Sequence, residues 1–325
     1  MRRFVGTGLF HCLLRRLCLI SIGGLFLASC GLNQSNNTTT NATLSGCQIT
    51  ASAFVTNGAQ HSVPPATPAL RGASLTIDGS TALQPLLQQA AVEMNAVNAM
   101  HIVVTGGGST QGLHDVETGT VDMGMSDIFA EEASPSHSYT DLIDHPVATV
   151  TFTLVVSGDV RESVRNLRLP DIQAIFLGHV TNWKQLGGPD EPITVFNRTA
   201  GSGTRATFEH YILGSTNERQ RIGMQADSMQ QEITAIAAGK GAIGYTATNY
   251  VESVKGSNGV SPICIDGFGA TAHNVSKGYY PFWSYEHVYT KGKPSAIEQA
   301  FLNYVMSEAF QSTDLIELGY QGLAS

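Results

Sequence analysis

Residues 74–94 read SLTIDGSTALQPLLQQAAVEM. Ser74 to Ile77 predicts a short strand, and Asp78-Gly79-Ser80-Thr81 turns the chain. Leu83, Leu86, Leu87, Ala90, Ala91 and Met94 then recur at intervals of three and one, which is the spacing of an amphipathic helix. Ser80 or Thr81 suits the cap of that helix, and Pro85 fits only if it lies in the first turn. A strand, a glycine turn and a helix in succession form the unit from which α/β folds are built.

The unit recurs along the chain. His101 to Thr105 predicts a strand, Gly106-Gly107-Gly108-Ser109-Thr110 a turn, and Leu113 with Val116 a short helix. Val121, Met123 and Met125 alternate with Asp122 and Gly124 and predict a strand ending at Ser126-Asp127. Val147 to Val156 is a longer apolar strand, and Asp171 to Leu177 a short helix stopped by Gly178. Ile193 to Phe196 predicts a strand, and Asn197 to Gly203 a loop. Thr204 then opens a helix that turns Phe208, Tyr211 and Ile212 inward. Gly241 to Thr246 is a further strand, and Ile297, Phe301 and Val305 mark a last helix. The fold class is therefore α/β, with helices on mainly parallel sheet.

The 325 residues are 42% hydrophobic and only 14% charged, which excludes a wholly disordered chain. A net charge of −8 argues against a nucleic-acid partner, which would call for a basic face. Residues 1–29 carry four arginines and no acid, and an apolar run from Leu17 to Ala28 is too short for a comfortable membrane span of ~20 residues. Leu27-Ala28-Ser29-Cys30 has the form of a bacterial lipobox, so residues 1–29 are expected to be cut off and Cys30 to take up lipid such as palmitate. An uncut membrane anchor is the plainer alternative. Removing those 29 residues and four arginines from 325 residues and 18 basic side chains leaves 296 residues at a net charge of −12.

Residues 30–72 read as a flexible tether. Ten of the twelve residues from Asn33 to Leu44 are Asn, Gln, Ser or Thr, and no charge appears in the tether before Arg71. Such a stretch buries too little apolar surface to offset its ordering entropy. Cys47 and Cys264 are the cysteines left after processing and lipidation. In an oxidising compartment they form either a disulfide or two buried thiols.

Three loops carry chemistry. Gly79-Ser80-Thr81, Gly107-Gly108-Ser109 and Gly201-Ser202-Gly203-Thr204 each follow a strand and open a helix. Glycine admits close approach to the backbone, the first helical turn offers unpaired N–H groups, and Ser and Thr add hydroxyls. One such loop is an ordinary helix cap; three together point to an oxyanion site. Arg198, four residues before Ser202, can grip two oxygens of a tetrahedral anion, or else form a surface salt bridge. Arg205, one position into the helix, is as ready to point outward. A carboxylate at Asp127 makes sense beside an anion that carries a proton, as phosphate does and sulfate does not; otherwise it caps a helix or pairs with Arg198.

These stretches, with Val121-Asp122-Met123-Gly124-Met125-Ser126-Asp127, Ile175-Phe176-Leu177-Gly178, Arg198-Thr199-Ala200-Gly201-Ser202-Gly203-Thr204 and Gly241-Ala242-Ile243-Gly244-Tyr245, resemble the phosphate-binding proteins of bacterial phosphate ABC transporters, members of the periplasmic-binding-protein family. The resemblance runs from about Ser74 to the C-terminus. It implies a two-lobed fold of type II character with a hinge of two crossing segments. Lobe one is mapped to 73–152 and 276–325, and lobe two to 153–275. It implies phosphate ligands at Thr81, Ser109, Asp127, Arg198, Ser202, Gly203 and Thr204, inorganic phosphate as ligand, ABC permease subunits as partners and a monomer. It also implies an exported protein held by lipid on the periplasmic or extracellular face of a membrane. No cofactor and no metal are expected.

Rival readings remain. The sequence has no His-Glu-Xaa-Xaa-His, no Gly-Xaa-Ser-Xaa-Gly and no Gly-Lys-Ser/Thr, and no loop hydroxyl has a His next to it, so a phosphate-ester enzyme is disfavoured. A binder of another oxyanion is disfavoured by Asp127. A sensing or adhesion lipoprotein on the same fold stays open.

Overall fold

The computed structural model describes residues 68–133, 137–214, 223–253 and 259–323, with Val63 and Pro65 besides. The expected signal 1–29, Cys30, Cys47 and most of the tether 30–72 lie outside the described residues.

The opening unit forms as strand β1 (Ser74–Gly79) and helix α1 (Gln84–Asn98). Leu86, Leu87, Ala90, Ala91 and Met94 are buried along one face of α1. The helix begins later than a cap at Ser80 or Thr81 would place it. Ser80 instead caps the turn before it, its Oγ accepting from the N–H groups of Ala82 and Leu83 at 3.0 and 3.1 Å. Pro85 falls in the first turn of α1, where its missing N–H costs nothing.

The unit repeats in β2 (His101–Val104) with α2 (Ser109–Thr118), and β3 (Met123–Ser126) leads to the short α3 (Ala130–Ala133). Then come β4 (Leu142–Ser157), β5 (Asn166–Leu167), α4 (Leu169–Phe176) and β6 (Thr194–Arg198) with α5 (Gly203–Tyr211). After these follow β7 (Met224–Ala226), α6 (Met229–Ala238), β8 (Ala242–Ala247), α7 (Thr248–Ser253), β9 (Val260–Ile265) and α8 (Ala272–Ser276). The chain closes with β10 (Trp283–Lys291), α9 (Ala296–Val305), α10 (Glu308–Ser312) and α11 (Asp314–Glu317).

The strands lie in the order β2-β1-β3-β10-β4-β8-β6-β7, with β9 pairing both β4 and β5. β2, β1 and β3 are parallel, as are β8, β6 and β7. The middle is antiparallel, because β10 runs against β3 and β4, and β4 against β8 and β9. The sheet is therefore mixed, parallel in its two outer thirds and again where β5 pairs with β9.

One strand serves both halves. β4 pairs with β10 from Leu142 to Thr151 and with β8 from Phe152 to Val156. Val147 to Val156 carries only apolar residues and threonine, and all but Thr149 are buried, because both faces are covered. The register shifts where Glu286 and His287 of β10 face Ala148 and Pro146, so Val147 is an extra residue on β4, beside Pro146, which has no N–H for the ladder. Where β4 changes partners, the returning segment lies against it. Phe152 N donates to Phe282 O at 3.0 Å, Tyr280 Oη donates to Phe152 O at 2.9 Å, and the Phe152 and Phe282 rings are 5.0 Å apart.

Phe208 and Ile212 are fully buried, and the Phe208 ring stacks on Tyr245 at 4.2 Å. Such an aromatic pair contributes about 0.5–1.5 kcal/mol beyond its area. Tyr211 departs from the sequence reading: it is 51% exposed, because α5 ends there and the chain turns Ile212 inward instead.

Candidate anion-binding site

The loops that carry chemistry leave the sheet at the carboxyl ends of β1, β3 and β6 or open the helices that follow β2 and β6. Ser80 and Thr81 follow the end of β1, Ser109 opens α2, Asp127 follows β3, Arg198 ends β6, and Ser202 caps α5. In open α/β sheets the carboxyl ends of parallel strands are where ligands bind. α2 can press against β1 and β3 because the contact is made of glycine. A Cβ on Gly112 would lie 2.6 Å from Gly79 Cα, and one on Gly124 would lie 2.4 Å from Gly112 O.

Asp127 is the hub. Its carboxylate accepts from Ser80 Oγ, from Thr204 Oγ1 at 2.7 Å and from Ser109 Oγ at 3.4 Å, while its own N–H donates to Ser109 Oγ at 3.0 Å. Burial pushes this carboxyl up, against the three hydroxyls and the Arg198 charge, which all favour its anion.

Arg198 is 1% exposed. Its Nη2 donates to Thr81 Oγ1 and to Asp227 O, each at 3.0 Å, and its Nε donates to Ala226 O at 3.2 Å. Its Nη1 is buried without a hydrogen-bond partner among the described residues. The alternative of a surface salt bridge is thereby excluded. Arg205 donates to Arg198 O and to Glu209, at 3.2 and 3.0 Å.

The seven sequence-predicted residues meet from two stretches of chain. Thr81, Ser109 and Asp127 come from the β1–β3 side; Arg198, Ser202, Gly203 and Thr204 come from the β6–α5 side. Thr110 N donates to Gly201 O at 3.0 Å, so the two glycine loops also touch through backbone. Gly203 leaves no room for a side chain, since a Cβ there would lie 2.3 Å from Ser109 Oγ and 2.9 Å from Asp127 Cβ. The cluster offers hydroxyl and guanidinium donors, the N-terminal turns of α2 and α5, and one carboxylate. It can hold a tetrahedral oxyanion that has a proton to give.

Four residues around it were missed by the sequence reading. Glu232 on α6 is fully buried, its Oε2 3.8 Å from Arg198 Nε, and Tyr245 N donates to its Oε1 at 3.3 Å. Burial pushes its carboxyl up to about 8, against the Arg198 charge. Tyr245 Oη accepts from Arg198 N at 3.3 Å, and Tyr250 Oη donates to Thr81 O at 2.9 Å. Glu286 on β10 is fully buried near Asp127. The sequence signal for Glu286 is the alternation Ser284, Glu286, Val288, which puts it on a face with a core valine; Glu232 reads as an ordinary first-turn acid.

Cys264 is buried in β9 and disulfide-bonded, with its partner outside the described residues. Among the described residues no group of three or more His, Cys, Asp or Glu could hold a metal ion, and no helix is long and apolar enough to cross a membrane.

Comparison with known proteins places this architecture. The family model of the PBP superfamily domain matches residues 63–309. The phosphate-binding protein PstS of Bacillus subtilis is 40% identical over 248 residues, covering 76% of this chain and 80% of the relative. A Clostridium perfringens protein solved with bound phosphate, and assigned as a phosphate ABC transporter substrate-binding protein, superposes with a TM-score of 0.69. It is 26% identical, over 77% of this chain and 100% of the other. An ABC-type phosphate transport receptor of Vibrio cholerae gives a TM-score of 0.60 at 25% identity, over 77% and 100%. The fold, the loop chemistry and these likenesses agree, and the chain belongs to the PBP superfamily, in the family of the PstS phosphate-binding proteins.

Proposed function

We propose that this chain captures inorganic phosphate between two lobes and delivers it to an ABC permease. The observation that carries the reading is Arg198, a buried guanidinium with one nitrogen unpartnered, set among hydroxyls from both sides and facing Asp127. A buried guanidinium nitrogen without an acceptor is costly, and an oxyanion supplies the acceptor. Arg198 grips two phosphate oxygens. Thr81, Ser109, Ser202 and Thr204 donate hydroxyls, the backbone at Gly203 approaches closely, and Asp127 accepts the P–OH. The names and bound ligand of the relatives support the same reading.

The lobes are 73–152 with 276–325, and 153–275. The change of partner along β4 after Thr151, with Phe282 beside it, supports a hinge at these crossings. Phosphate then draws the lobes shut. The relatives carry names of phosphate-binding and phosphate-transport proteins, which supports binding without turnover. Cys30 carries the lipid that anchors the exported protein to its membrane, and Cys47 is the disulfide partner of Cys264. Peptide mapping without reducing agent reads both modifications.

Equilibrium dialysis against labelled phosphate tests the function. One phosphate retained per chain is expected; no retention by folded protein overturns the reading.

A further inference from the structure

The carboxylate of Asp127 has a second carboxyl near it. β10 pairs with β3 through Val288 opposite Met125 and His287 opposite Ser126. Glu286 and Asp127 are the next residues of the two chains beyond that ladder, close enough for the Asp127 charge to act on the Glu286 carboxyl. Like charges so placed repel.

The two carboxyls differ sharply in their surroundings. Asp127 has three hydroxyl donors and the Arg198 charge nearby. Glu286 is fully buried, and both of its oxygens lack a hydrogen-bond partner among the described residues. The groups that face it are Asp127 beyond β3, Tyr250 on α7 and Tyr320 after α11; β4 opposes it with Ala148. None of these is a cation. An ionised glutamate so placed would have neither solvent nor a donor to hold its charge, and the neutral acid is far less costly to bury there.

We propose that Glu286 is held as a neutral carboxylic acid behind Asp127, and that phosphate capture depends on its proton. With the proton in place, the pair carries at most one negative charge toward the bound anion. As pH rises and Glu286 releases its proton to solvent, the pair carries two, and phosphate is repelled. By reciprocity, a bound phosphate anion makes Glu286 hold its proton more tightly, so alkaline binding takes up a proton. Burial and the Asp127 charge both raise this carboxyl well above the usual range, in the same direction. This proposal rests on the phosphate reading of the site.

The test compares phosphate Kd for the wild type and Glu286→Gln from pH 5.5 to 9.5. The second ionisation of phosphate is common to both proteins and cancels in the ratio. Wild-type Kd is expected to rise more steeply on the alkaline side, by up to about tenfold per pH unit, the slope of one linked proton. Superimposable profiles overturn the proposal and leave the phosphate reading intact; failure of both proteins to bind phosphate overturns that reading itself. Carbon-13 NMR of wild type labelled at glutamate Cδ gives a second measure that needs no variant. One carboxyl still protonated at pH 7, beyond Glu232 as identified by Glu232→Gln, supports the proposal, and its absence overturns it.

Discussion

Thr81 and Arg198 lie 117 residues apart in sequence, and a 3.0 Å hydrogen bond from Arg198 Nη2 to Thr81 Oγ1 joins them. The bond links the loop after β1 to the end of β6, and so ties together the two sides that contribute the site. The same guanidinium is fixed from its own side by the carbonyls of Ala226 and Asp227. It is therefore positioned before any ligand arrives, and its remaining nitrogen is what an anion would meet.

Arg198→Ala is expected to weaken phosphate binding by about 2–5 kcal/mol, since it leaves ligand charge buried and unpaired. It is also expected to lower the melting temperature of the ligand-free protein, because two buried carbonyls and Glu232 lose their partner. Arg198→Lys keeps the charge but not the fork, and should recover only part of the affinity. Calorimetry and thermal melts read the two effects separately.

Gly203→Ala tests closure without touching charge. The added methyl would meet Ser109 Oγ and Asp127 Cβ, which come from the other side of the site. Overpacking of this size costs about 1–3 kcal/mol, so affinity should fall roughly fivefold or more. A ligand-free melt close to wild type is expected, since the clash exists only when the two sides meet. Unchanged affinity would show that α5 does not approach α2 in the bound form.

Glu232 gives the site a pH dependence of its own in stability. Its carboxyl titrates at about 8 when folded, against an ordinary value of 4.5. Between those values the folded chain holds a proton that the unfolded chain has lost, so stability falls as pH rises through that window. Glu232→Gln removes the term. The variant should melt higher than wild type at pH 8, and the gap should shrink toward pH 5. Melting curves that stay parallel from pH 5 to 8 would contradict the assignment.

The parts legible in the sequence were those set by local pattern. The glycine and hydroxyl loops stand where strand spacing gives way to helical spacing, and this located Ser80, Thr81, Ser109 and Ser202 to Thr204. Glu232 and Glu286 were not legible as site neighbours, because Arg198 and Asp127 reach them only through the packing of α6 against β6 and β8 and the pairing of β10 with β3. β7 has three residues and β5 two, too short for any period to show. α10 and α11 are single turns placed by Phe310 and Leu315 in the core. Tyr211 was misplaced because helical spacing cannot reveal that the helix ends at that residue.

Selectivity between phosphate and sulfate tests the account most directly, because it asks what Asp127 does. Sulfate near neutral pH has no proton to give, so it loses a charged hydrogen bond of about 1.5–3 kcal/mol and adds repulsion against the carboxylate. Parallel calorimetric titrations of wild type and Asp127→Asn with the two anions decide it. The account predicts one tight phosphate per wild-type chain, sulfate at least ~1000-fold weaker, and a narrowed gap in Asp127→Asn. Sulfate binding the wild type as tightly as phosphate would contradict it.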